Sequence, residues 1–86
     1  MFCYTRHAFD KFDTKEVRQF KISKKLIEKT IKEGKIVETE EHVSAVVGKL
    51  DIEHSLCVVF KSTGKDIKII TFFPAKKGRY ERKVLQ

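Results

Sequence analysis

The chain has 86 residues, 41% of them hydrophobic and 36% charged, with seven Phe and a formal net charge of +7. That length closes one two-layer core and leaves no room for a second domain or a large enclosed cofactor site, which excludes the large-cofactor enzymes, while the apolar content argues against disorder. No apolar run approaches the roughly 20 residues of a membrane span, and Met1-Phe2-Cys3-Tyr4-Thr5-Arg6 lacks the apolar core of a signal peptide, so a cytoplasmic protein with no membrane partner is expected.

From the N-terminus, Phe2 to Thr5 reads as a short strand or an extended lead-in. Thr5 then caps a helix that places Ala8, Phe9 and Phe12 on one face and reaches Phe20 with a break on the way. Ser23, flanked by Ile22 and Ile27 at hydrophobic-staple spacing, opens a second helix over residues 23–33. Its apolar face carries Leu26, Ile27, Thr30 and Ile31, and Gly34 closes it. Lys24, Lys25, Lys29 and Lys32 form its solvated face or extend a nucleic-acid surface, a choice the residues leave open.

After Gly34 the period changes from helical to alternating, with strands expected at 36–39, 43–50, 56–61 and 66–73. The turn Ser62-Thr63-Gly64-Lys65 joins the last two. Strict alternation sets Leu56, Val58 and Phe60 against Cys57, Val59 and Lys61, and sets Ile67, Ile69, Thr71 and Phe73 against Lys68, Ile70 and Phe72. The expected architecture is α+β: one domain over residues 1–86, with two N-terminal helices packed on a four-stranded antiparallel sheet. The uncovered face would form a shallow groove beside a basic tail. Two cysteines, Cys3 and Cys57, make at most one bridge and read as reduced packing residues.

The last expected strand stops at Pro74, and beyond it the charge balance shifts. Residues 74–86 hold Lys76, Lys77, Arg79, Arg82 and Lys83 against Glu81, four of the seven net positive charges, with Tyr80 among them. Interleaved cations and an aromatic suit a phosphate backbone with an exposed base to stack on, so RNA or another single strand is the expected partner. A solvated chain end has the same composition.

Four stretches in series resemble the small RelE-like toxins, and more closely an uncharacterised branch of that superfamily in bacteria and archaea. They are Tyr4-Thr5-Arg6-His7-Ala8-Phe9-Asp10-Lys11-Phe12, Ile22-Ser23, Asp51-Ile52-Glu53-His54-Ser55-Leu56-Cys57-Val58-Val59-Phe60, and Ile70-Thr71-Phe72-Phe73-Pro74-Ala75-Lys76-Lys77-Gly78-Arg79-Tyr80-Glu81. The resemblance implies a helix-helix-sheet fold shared by metal-independent ribonucleases and toxin-antitoxin partners, with activity carried by basic and aromatic side chains of the sheet and tail. It makes RNA, including RNA on the ribosome, and an antitoxin protein the implied partners. One departure stands out. Similar chains tend to carry Arg or Lys on the second strand after a Gly, where this chain has Ser44-Ala45-Val46-Val47, and a missing cation there weakens the case for catalysis.

RNA cleavage without a metal needs a base for the 2′-hydroxyl, an acid for the leaving 5′-oxygen and cations for the crowded phosphate. His7 and His54 suit either proton-transfer role, since an unperturbed imidazole titrates near about 6.5. Tyr80 stacks or donates a proton, and Lys76, Lys77, Arg79, Arg82 and Lys83 bind RNA. His7 also fits an exposed or helix-packed histidine, and His54, after the turn-like Asp51-Ile52-Glu53, fits a structural hydrogen bond. His42, beside Glu40 and Glu41, reads as surface.

No cofactor or metal is expected. Cys3, His7, His54 and Cys57 make a superficial zinc set, but His54 and Cys57 are three apart on a strand and project to opposite faces. A thiol nucleophile is no better supported, because burial in Leu56-Cys57-Val58-Val59-Phe60 raises a thiol's pKa. The acidic patch Glu38, Glu40 and Glu41 keeps a strand end soluble or docks a basic partner segment. Two functions are therefore carried forward: a RelE-like toxin acting as a metal-independent endoribonuclease, and a non-catalytic module of the same fold that binds RNA or a protein.

Overall fold

Three hydroxyl side chains divide the N-terminal half of the protein. In the computed structural model, which describes residues 1–76 with the Glu38 side chain excepted, Thr5 Oγ1 accepts from Ala8 N at 3.1 Å, Thr14 Oγ1 from Val17 N at 3.3 Å and Ser23 Oγ from Leu26 N at 3.2 Å. Each satisfies a donor that a helix start leaves without an intrahelical partner. They open α1 (Arg6–Asp10), α2 (Lys15–Gln19) and α3 (Lys24–Glu33). The expected break in the first helix falls at a 3₁₀ turn, Lys11–Asp13, after which Thr14 restarts the chain. Thr14 carries little cap signal in the sequence, because the helix it opens is only five residues long.

The second half supplies β2 (Lys35–Glu40), β3 (Val43–Lys49), β4 (His54–Thr63) and β5 (Asp66–Lys76), an antiparallel meander. The four-stranded antiparallel sheet expected from the sequence is corrected on one point. Phe2–Tyr4 is a strand, β1, and it pairs parallel to β5 through Phe2↔Ile67, Cys3↔Lys68 and Tyr4↔Ile69. The described residues thus form a mixed five-stranded sheet in the order β1-β5-β4-β3-β2. The Met1 amine secures this join, donating to Lys65 O at 3.0 Å. The β2–β3 turn places Glu41 and His42 at φ 47° and 70°, and Gly64, at φ 59°, opens the β4–β5 turn. Left-handed backbone suits Gly64 and strains the other two.

The three helices cover one face of the sheet. Ala8, Val17, Ile22 and Ile27 from the helical half meet Val46, Leu56, Val58, Phe60, Ile69 and Phe72 from the strands. Phe9, expected on this face, instead stays 55% exposed. The expected alternation in β5 fails because Ile69 pairs with Phe60 but Thr71 pairs with Val59, leaving Ile70 as an extra residue in a bulge. One added residue inverts every later side chain. Phe72 therefore joins Ile67 and Ile69 on the helical side, and Phe73 packs on the other with Ala45, Val47 and Cys57. Of the two cysteines expected to pack, only Cys57 does, while Cys3 is exposed.

Gly34 ends α3 with ordinary φ and extended ψ, so its role is closeness and not a left-handed cap. A Cβ there would lie 2.7 Å from Val47 O, 2.8 Å from Val46 Cγ2 and closer still to Thr30 O. Backbone oxygens cannot swing aside, so Gly34→Ala is expected to destabilise by about 3 kcal/mol, at the upper end for an overpacked site. An unchanged urea midpoint would show that α3 does not approach β3 this closely.

Candidate functional site

His54 opens β4 opposite Lys76, the last described residue of β5. Directly opposed residues of antiparallel strands project to one face, with Cβ atoms about 5 Å apart. The parity of Leu56, Val58 and Phe60 places His54 on the helical side of the sheet. There its ring meets Phe20, just past α2, with centroids 4.7 Å apart and an interplanar angle of 59°. The His54 side chain keeps 26% exposure, and Lys76 is exposed.

The turn before β4 orients this histidine. Asp51 Oδ1 accepts from Glu53 N at 2.8 Å and from His54 N at 2.7 Å, an Asx turn, and His54 Nδ1 lies 3.0 Å from Oδ1 and 3.2 Å from Oδ2. Partial desolvation works against the charged carboxylate. The N–H of Glu53, the His54 ring and the His54 N–H together outweigh it and hold Asp51 below the usual carboxylate range. An ionised Asp51 places the neutral ring's proton on Nδ1 and leaves Nε2 as an acceptor, the base-plus-orienter arrangement of acid–base sites.

A carboxylate whose pKa falls on folding contributes stability that is present above its unfolded pKa, near about 3.9, and is lost as pH falls through the folded value. Asp51→Asn is therefore expected to flatten the decline of the thermal midpoint below about pH 4 and to leave its shape near neutrality unaltered. The same steep acid limb in both proteins would show that folding does not hold Asp51 below its usual range.

The other expected site residues are distributed differently. His7 is exposed on α1, which starts where Thr5 N donates to Ile69 O and Thr5 Oγ1 donates to Ile70 O. Lys76 lies six residue steps beyond Ile70 along β5, on the order of 20 Å. His54 and Lys76 are thus brought together, and His7 is not brought to them. Lys77, Arg79, Tyr80, Arg82 and Lys83 lie outside the described residues, as does the Glu38 side chain of the acidic patch. Glu40 and Glu41 border a surface depression of about 470 Å³ with Val43, Ser44, Ala45 and Val59. Val43 pairs with Lys61, so this depression sits at the opposite end of β4 from His54.

In the sequence Asp51 stands out only as part of a turn, and Phe20 only as the end of the first helix. Asp three residues before His is a readable Asx-turn signal. Nothing local announces that Phe20 reaches a histidine 34 positions away. No group of three or more His, Cys, Asp or Glu side chains converges among the described residues, and no helix among them is long and apolar enough to cross a membrane. Comparison with protein families, with curated proteins and with solved structures finds no match to this chain.

Proposed function

We propose that this protein is a RelE-like endoribonuclease that cleaves RNA without a metal, with His54 as its proton-transfer residue. The observation that carries the reading is the His54 imidazole held by Asp51 through Nδ1 and set across the strand pair from Lys76. Neutral Nε2 takes the proton of a ribose 2′-hydroxyl. The freed oxygen attacks the adjacent phosphorus, the bond to the 5′-oxygen breaks, and a 2′,3′-cyclic phosphate and a 5′-hydroxyl result. Lys76 and the tail cations Lys77, Arg79, Arg82 and Lys83 offset the charge gathered on the phosphate, and Tyr80 is the candidate proton donor to the leaving oxygen. The resemblance to RelE-like chains adds support of a different kind, independent of this geometry.

A second reading follows from β3. Between Val43 and Gly48 it carries Ser44, Ala45, Val46 and Val47, with Val46 in the helical core and Ala45 and Val47 on the far face, so no cation stands there. A module of this fold that binds RNA or an antitoxin without cleaving it would need none. Incubating the purified protein with mixed-sequence RNA in EDTA separates the two. Chelator-resistant cleavage ending in cyclic phosphates supports the first, and salt-sensitive retention of intact RNA supports the second.

A further inference from the structure

We infer that Tyr4, Phe9, Lys24 and Lys25 form a second contact for single-stranded RNA, built by β1, α1 and the start of α3 and sharing no side chain with the His54 site. The inference rests on the RNA reading above and adds a place where another base and phosphate of the strand are held. Lys24 Nζ hangs 5.4 Å from the Tyr4 ring centroid and 5.5 Å from that of Phe9. Phe9 remains 55% exposed, although it stands next to the fully buried Ala8 on the same short helix.

An ammonium poised over two rings, one of them open to solvent, is the pairing that single-strand binders use. The ring offers a π-face to any base, and the cation neutralises the adjoining phosphate. The first turn of α3 adds Lys25 and holds no acidic residue, and neither lysine has an ion-pair partner among the described residues. Gathering positive charge at a helix start is unfavourable until an anion arrives.

The acidic groups nearby are few. Asp10 closes α1 on the solvent side, and Glu28, one turn beyond Lys24, faces Tyr4 closely enough to help raise its pKa after the larger effect of burial. Tyr4 anchors the platform from below. Its ring stands edge-on to Phe12 at 5.8 Å, and Phe12 in turn packs on Phe72 at 5.0 Å, so the surface cluster is braced by the core. Its hydroxyl is buried and has no hydrogen-bond partner among the described residues.

The test is fluorescence anisotropy of a labelled oligouridylate with the full chain at several salt concentrations, comparing wild type, Phe9→Leu and Lys24→Ala. Both positions are exposed, and circular dichroism checks that each variant folds. Phe9→Leu keeps apolar bulk but removes the π-face and is expected to weaken binding roughly 5- to 100-fold, the range for loss of one stacked base. Lys24→Ala is expected to flatten the salt dependence by about 0.7 in log–log slope, one phosphate's share for a single strand. Wild-type binding that both variants reproduce in affinity and slope would overturn this contact and leave the RNA reading standing. A wild-type chain that binds no oligouridylate at low salt would overturn both.

Discussion

His54→Ala is expected to reduce RNA cleavage by roughly 10²- to 10⁴-fold, the range that positioned general acid–base catalysis supplies. The loss should persist across salt concentrations at which RNA binding is unchanged, because a proton-transfer group contributes to the rate and little to the ground-state complex. His7→Ala should stay within about threefold of wild type, since the chain anchors α1 about six β-residues away from the His54 end. The pH profile gives an independent check. A step that depends on a general base gives a rate that rises from the acid side, and that rising limb should disappear in the alanine variant. Equal loss in both histidine variants would return His7 to the reaction, and cleavage untouched by His54→Ala would remove the site proposed here.

Phe72→Ala carries the largest expected effect on stability. Phe72 is fully buried, its ring lies 5.0 Å from Phe12, and it belongs to the cluster that joins all three helices to the sheet. Removing a buried phenyl group costs about 3–5 kcal/mol, a large share of the roughly 5–15 kcal/mol by which small domains are stable. Phe73→Ala should cost distinctly less, because Phe73 is only half-buried on the opposite face. Urea midpoints measured side by side decide the point. The ranking depends on the bulge at Ile70, so a reversed order would mean that β5 alternates without interruption and that Phe73 faces the helices.

The elements legible in the sequence are those whose physics is local. Ser23 and the 3.6-residue spacing of Ile27 and Thr30 specify α3, since a cap and a helical stripe act within one or two turns. The change to alternation after Gly34 specifies β-structure for the same reason, and the chemistry of His54 and of the basic tail is visible as residue type. The features that local physics leaves open involve partners far apart in the chain. The parallel pairing of Tyr4 with Ile69 crosses 65 positions, and the bulge that turns Phe72 inward arises from how β5 registers on β4. Phe9 satisfies the helical stripe yet stays outside, because the restart at Thr14 leaves α1 too short to carry a full face onto the sheet. Likewise His7 and His54 are equal as letters. Their difference lies in the strand ends that anchor them, and strand pairing alone sets His54 beside Lys76 and against Phe20 while leaving His7 elsewhere.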